Sequence, residues 1–413
     1  MDADKTLTVI LDLGSELVRG GTEVWLVEER LAEICDAYGF KTHDILIVSD
    51  YIKATVQTYA GTVHSQIRKV PGKQMNMERL ELLAGLSERI VKETPEPGEI
   101  EEELQKILKK PSYPRVIIFL AAAFGAGNFT MFFNGWRQDV ALVALIALVI
   151  VFVREQLSKR EDNPLITNTL LAYLMEIMVV GAMLCGLGRS LTSMTAGLIM
   201  LLIGPLGFTT GMRDLLHKNV QSGLTDFMHS LLGAMGIAIG ISLALMTFRE
   251  GIIQHVQEQE VVQSVLVQII ASIGGCVGFA VGVNCRGWVL VVSGVGAALT
   301  QFAHMMTLDL ADGNYFTATL IAACFAAFYA NISGLTIKTP PTIFLTTCVL
   351  PLLPGPELYR LVYAIIMDDG IGYHENGRRL FLICIAIALG YIIVEVIFKY
   401  TRVIFKSIVK RPA

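Results

Sequence analysis

Two patterns of apolar and polar positions divide the chain near residue 114. Before that point the apolar residues recur with the periods of half-buried surface elements. In VWLVEERLAEICDAY, Val24, Val27, Leu31, Ile34 and Tyr38 fall at spacings of 3, 4, 3 and 4, which is one face of a helix. Gly20-Gly21-Thr22 ahead of it supplies a turn, with Thr22 as the expected N-cap. The run HDILIVSDYIKATVQTYAGTVHSQIRKV, rich in Ile, Val, Thr and Tyr, predicts short strands. NMERLELLAGLSERIVKE is helical again, and KETPEPGEIEEELQKILKKP is a Pro/Glu linker leading into a short amphipathic helix. Residues 1–114 are therefore expected to form a small N-terminal α+β domain and its linker.

From Arg115 onward ten apolar segments follow, at 116–134, 138–156, 165–187, 191–208, 222–247, 261–283, 288–306, 315–335, 341–366 and 379–399. Most are near the roughly 20 residues that a bilayer crossing needs. The pattern predicts a polytopic α-helical membrane protein with about ten transmembrane helices. Lys and Arg in the short loops set the orientation. With the N-terminal domain inside, the inward loops hold Arg154, Lys159, Arg160, Arg213, Lys218, Arg286 and Lys338, and five more basic residues follow in the C-terminal tail. The outward loops hold Arg137, Arg189, Arg249, Arg378 and Arg379. Both termini are expected in the cytoplasm, and the protein in the cell membrane.

Composition agrees. Of 413 residues, 53% are apolar and 17% charged, against about a quarter charged in soluble domains. The net charge of −4 and the absence of a basic patch argue against nucleic acid. The start MDADKTLTVILDLGSELV has no basic n-region, so no cleaved signal peptide is expected. Seven cysteines stand singly, without C-x-x-C, and are expected as buried small apolar side chains rather than as a metal or disulfide framework. No cofactor and no metal are expected. Walker A, H-E-x-x-H and G-x-S-x-G are all missing, which disfavours a membrane-tethered enzyme; a channel is a further alternative.

Five apolar segments precede REGIIQHVQEQE and five follow it, dividing 115–250 from 251–413. An odd number per half means that the second half enters from the opposite side, a 5+5 inverted repeat. The halves open alike: GAGNFTMFFNGWRQDVALV reaches Asn134 and Gly135-Trp136, and GGCVGFAVGVNCRGWVLVV reaches Asn284 and Gly287-Trp288. Their fourth segments both contain Gly and Pro: MLLIGPLGFTTGMRDLL, and LPLLPGPELYRLVYAI with Pro351, Pro354 and Gly355. Broken helices in corresponding positions of two repeats are where secondary transporters hold their substrate, because unwound backbone in a membrane must face protein or a wet cavity.

These stretches also resemble the threonine/serine exporter family in its fused form. GGTEVWLVEERLAEICDAYG resembles the family's N-terminal signature, RDLLHKNVQSGLTDFMHSLLGAMGIAIGISLAL the end of its first membrane half, and TPPTIFLTTCVLPLLPGPELYRLVYAI its second-half pattern of spaced prolines before Tyr359. The chain departs from the family at Leu26, at Gly204-Pro205 and at Thr210. The resemblance implies export of small amino acids driven by the proton motive force, across a lipid bilayer. A two-subunit relative linked to succinate export makes a C4-dicarboxylate the alternative substrate.

An amino acid needs donors for its carboxylate, acceptors for its ammonium and a partner for its hydroxyl. Half-helix N-termini at Pro205, Pro351, Pro354 and Gly355 supply the first, exposed carbonyls the second, and Thr209, Thr210 and Ser333 the third. Tyr359 and Asp214 flank the breaks. A dicarboxylate would instead call on Arg213, Arg286 or Arg360 as forks for its oxygens. Glu176, alone in LLAYLMEIMVVGAML, is the sharpest candidate for carrying a proton. Asp226 and His229, three apart on one helix face, are a second proton-relay candidate. Asn128 and Asn331 lie in apolar runs, as substrate contacts or as helix-to-helix hydrogen bonds. Glu23, Glu28 and Glu29 are expected on a solvated face or, alternatively, on a surface against the membrane part. Glu395 is expected to pair with Lys399, four residues on.

Overall fold

The computed structural model describes residues 2–409 except 49, 73, 162, 204, 256–258, 260, 312 and 338; for 205, 206, 208–210, 212, 255 and 402–409 it describes backbone alone. The N-terminal part begins with α1 (Ala3–Arg19), an amphipathic helix capped by the Asp2 side chain and not foreseen from the sequence. α2 (Val24–Ala37) follows, then β1 (Thr42–Val48), β2 (Tyr51–Gln57) and β3 (Val63–Lys69). The strands form one antiparallel sheet in the order β1-β2-β3, with Val48 opposite Tyr51 and Tyr51 opposite Lys69. α3 (Met77–Glu93) and α4 (Pro97–Lys109) complete it. Leu7, Leu11, Leu31, Ile34, Ile52 and Leu83 form its core, placed there by the helical and alternating periods of their elements.

Then come α5 (Arg115–Phe132), α6 (Arg137–Leu157), α7 (Pro164–Leu184), α8 (Leu191–Leu202), α9 (Pro205–Leu216) and α10 (Val220–Thr247). The short α11 (Arg249–His255) leads to α12 (Val265–Gly282), α13 (Trp288–Leu310), α14 (Tyr315–Ile337), α15 (Pro341–Cys348), α16 (Gly355–Met367) and α17 (Gly370–Val409). Among the described residues eight helices are long and apolar enough to cross a membrane, or nine if α15 and α16, bent by 46°, are one span. This is a polytopic helical membrane protein. Ten apolar segments were expected, and the difference lies at 191–208. It falls on α8, whose 12 residues are too short to cross alone, and on the start of α9.

The membrane helices turn large apolar side chains outward and small ones inward. On α14, Ile321, Phe328, Ile332 and Leu335 are exposed, whereas Ala318, Ala322, Ala326 and Ala330 are buried. Lipid solvates the former as well as protein would, and small residues let helices approach closely.

The ends of α5 and α12 are tied together reciprocally. Asn134, after α5, accepts at Oδ1 from the Gln263 N–H (3.1 Å), just before α12 begins. Asn284, after α12, accepts at Oδ1 from the Tyr113 N–H (2.9 Å), just before α5 begins. Each helix therefore ends where the other starts, and the two run antiparallel. Both asparagines sit at positive φ, 67° and 62°, a conformation that Asn tolerates better than other side-chain-bearing residues. Asn284 also donates to Asn76 and Glu78 at 3.0 and 3.1 Å, which joins this corner to α3. Asn284→Ala is expected to lower stability by about 1–3 kcal/mol, since it strands the half-buried Tyr113 N–H, removes the bonds to Asn76 and Glu78 and leaves a strained backbone. Asn284→Gly relieves the strain and should recover part of the loss. Thermal unfolding of the two purified variants checks the order.

Candidate functional site

The two interrupted segments meet. α8 packs on α16 and α9 on α15. The interruptions share a local sequence, Leu201-Leu202-Ile203-Gly204-Pro205 and Leu352-Leu353-Pro354-Gly355-Pro356. In the second, Pro351 cannot continue the α15 ladder, and the chain makes a 3-10 turn over Leu350–Leu352 before α16 starts at Gly355. Local bonds absorb much of the break: Leu352 N–H to Val349 O at 2.8 Å, Leu353 N–H to Leu350 O at 3.1 Å and Gly355 N–H to Leu353 O at 2.8 Å. In the first, Arg154 Nη1, from the end of α6, donates to Leu201 O at 2.8 Å, so a carbonyl at the end of α8 is taken by a side chain rather than by the next turn. Gly355 faces α8, where an added Cβ would lie 3.6 Å from Ala196 O and 3.7 Å from Met200 Sδ. Tyr359 is buried in the same apolar cluster as Met194 and Leu198.

Glu176 is buried on α7 against α8, and Thr195 Oγ1 donates to its Oε2 at 2.8 Å. This carboxyl lies beside the helix that carries the first break, seven residues before Leu202 along α8. Asp226 is buried where α10 crosses α9, with its Cβ close to Gly211, whereas His229 is exposed. The side chains of Pro205, Thr209 and Thr210, and all of Gly204, lie outside the described residues. Asn128 and Asn331 each donate to a carbonyl of their own helix, Phe124 O at 2.8 Å and Ala327 O at 2.9 Å. Ser333 is buried on α14, and Arg360 is exposed on α16. Arg286 lies at the far corner with Asn284, paired with Glu78 at 3.0 Å and stacked over Tyr113.

A second polar centre was not foreseen. Arg213, near the end of α9, pairs with Glu23 of the N-terminal part and with Glu395 of α17, the latter at 2.9 Å. The side chains are 5%, 0% and 9% exposed. Thr342 Oγ1, in the first turn of α15, donates to Glu23 Oε1 at 2.8 Å. Glu23 is thus inside the protein rather than on a solvated face, and Glu395 bonds to Arg213, 182 positions away, rather than to its helical neighbour Lys399. The N-cap of α2 is Glu23, not Thr22, and no side chain of α2 caps it. The cap comes from across the molecule: Asp214 Oδ1 accepts from the Val24 N–H at 2.9 Å. A carboxylate there suits the positive end of the helix dipole.

Around this centre the N-terminal part is fastened further. Trp25 stacks on His217 with ring centroids 4.0 Å apart, and burial pushes the His217 imidazole down from its ordinary pKa. Asn219 Nδ2 donates to Glu28 Oε2 at 3.3 Å. Burial raises the Glu28 carboxyl above the ordinary range, although the Ile47 N–H and Asn219 bonds pull the other way. The sequence held one signal for the cluster, the Arg-Asp pair closing α9, but nothing local to name its partners.

The chain matches the family described as putative threonine/serine exporter over residues 8–248, and a second threonine/serine exporter family over 268–397. It is 23% identical to a probable threonine/serine exporter of Mycobacterium tuberculosis over 379 residues, covering 88% of this chain and 71% of that one. It is 23% identical to the threonine/serine exporter of Corynebacterium glutamicum over 408 residues, covering 94% and 82%. No solved structure matches the chain. A family match that runs unbroken from α1 through α10, across the N-terminal part, the Glu23–Arg213 junction and the first broken segment, places the chain in the threonine/serine exporter family.

Proposed function

We propose that this exporter moves small amino acids of the threonine/serine class out of the cytoplasm, with the inward proton gradient as the driving force. The membrane part works as a 5+5 inverted repeat, 115–250 and 251–413, with both termini and residues 1–114 on the cytoplasmic side. The observation that carries this reading is the contact between the two interrupted segments, α8 with α16 and α9 with α15, beside buried Glu176. The reciprocal Asn134 and Asn284 ties support the inversion, since the first helices of the two halves run antiparallel. Corresponding helix pairs also pack alike: α7 on α10 and α14 on α17, α9 on α10 and α16 on α17.

Two of the arginines that a dicarboxylate would need are already occupied. Arg213 serves Glu23 and Glu395, and Arg286 serves Glu78. That favours an amino acid over succinate. Glu176 carries the proton: a carboxyl buried between membrane helices, 0% exposed and hydrogen-bonded by Thr195, is costly when charged, so its protonation follows which side of the membrane it faces.

The test is efflux of labelled threonine, serine and succinate from liposomes, with and without an imposed pH gradient. Saturable threonine or serine efflux that the gradient accelerates is expected. Glu176→Gln should abolish the gradient's effect while leaving exchange of threonine for threonine at zero gradient. Efflux of succinate alone would overturn the substrate assignment, and an undiminished gradient effect in Glu176→Gln would overturn the proton assignment.

A further inference from the structure

A cavity of about 300 Å³ lies between the start of α2, α3 and the turn joining α14 to α15. Thr22, Glu23, Trp25, Arg213 and Thr339 line it. Four buried polar atoms on this lining have no hydrogen-bond partner among the described residues: Thr22 Oγ1, Glu23 Oε2, Trp25 Nε1 and Thr339 Oγ1. Thr22, Glu23 and Thr339 are each more than nine-tenths buried. Buried polar groups left unpaired are costly, and four around one cavity mark a place built to receive a polar guest. Its volume is at the lower end of small-molecule pockets.

The charges select the guest. Glu23 Oε1 already accepts from Arg213 and from Thr342, while Oε2 is the unmet acceptor. One guanidinium faces three carboxylates here, on Glu23, Glu395 and Asp214. Arg30 and Glu88, also on the lining, add one charge of each sign. On the lining itself Glu23 and Glu88 balance Arg213 and Arg30, so the guest is net neutral, and the unmet carboxylate oxygen of Glu23 calls for a cationic donor on it. Trp25 Nε1–H and the hydroxyls of Thr22 and Thr339 are left to bond a carboxylate or hydroxyl on the same guest. We infer that this cavity binds a small α-amino acid, with its ammonium on Glu23 Oε2, at the junction of the N-terminal and membrane parts. The site is distinct from the broken helices, and the identity of its ligand rests on the amino-acid reading of transport. Because the ammonium lands on the carboxylate that holds Arg213, binding loosens the fastening between α2 and α9.

Trp25 is a built-in reporter. In the full-length protein with Trp136→Phe and Trp288→Phe, the remaining tryptophan lines the cavity. Titration with threonine is expected to change its emission saturably. 3-Hydroxybutyrate, which lacks only the amine, should give no change. Glu23→Gln should weaken threonine binding about tenfold to a hundredfold. Thr339→Val, which disturbs no ion pair, should weaken it about threefold to tenfold and keeps the test open if Glu23→Gln misfolds. An unchanged emission, as from a cavity filled only by water, would overturn the site. So would an equal response to 3-hydroxybutyrate, or undiminished affinity in both variants. Efflux measured on the same preparations separates the two claims. Efflux without binding removes this site and leaves the exporter reading standing; binding without efflux does the reverse.

Discussion

Arg213→Met is expected to destabilise the protein by about 3–5 kcal/mol, the cost of stripping the counter-charge from buried carboxylates. The substitution leaves Glu23 and Glu395 facing one another across the site of the lost guanidinium, each almost wholly buried. Thermal unfolding in detergent reads the loss directly. Limited proteolysis should also show the N-terminal part released, since Arg213 and Asp214 together hold the first residues of α2. Adding Glu23→Gln and Glu395→Gln to Arg213→Met should recover much of the stability, because a cluster without charge needs no counter-ion. A single variant within about 1 kcal/mol of the parent would mean that the pairs behave as solvent-screened surface bridges, and that this junction is not a fastening.

What could be read from the sequence follows from the range of the interaction concerned. Nine of the ten apolar segments fall on helices long and apolar enough to span, with α15 and α16 taken as one, because a span is a local property of about twenty residues. The second interruption was readable for the same reason: Pro351, Pro354 and Gly355 act on their own turns. α1 was overlooked although its signals were local, with Leu7, Ile10, Leu11, Gly14, Leu17 and Val18 buried along one face and Asp2 at its cap. The Arg213 centre is different in kind. Glu23 lies 190 residues from Arg213, and Glu395 182 residues on the other side. Nothing in either neighbourhood distinguishes a buried glutamate from an exposed one, and Glu395 even had a plausible mate at Lys399. The likeness of the two stretches, an Asn followed by Gly-Trp in each, was visible in the sequence. That each asparagine bonds the residue just ahead of the other helix's N-cap needed the antiparallel placement of α5 and α12.

That placement depends on glycine, so Gly278→Val is expected to cost about 3 kcal/mol or more and to leave little folded protein. An added Cβ at Gly278 would lie 2.6 Å from Gly125 Cα, 2.7 Å from Ala121 O and 2.8 Å from Gly125 N. All three are backbone atoms of α5, so no rotamer change relieves the clash and the helices must separate along their length. Separation would pull Asn134 from Gln263 and Asn284 from Tyr113, the ties at both ends of the crossing. In the membrane such close approach is itself a main source of helix association, through packing that larger residues forbid. Gly282→Ala is the control: it lies on the same helix, and a Cβ there meets nothing within 4 Å. It should be close to neutral, as Gly282 is the last residue of α12, where the interior cost of glycine does not apply. Size-exclusion yield and unfolding temperature of the two variants decide the matter. Equal behaviour of Gly278→Val and Gly282→Ala would mean that α5 and α12 do not cross at Gly125 and Gly278, and the antiparallel packing of the two helices would fall with that contact.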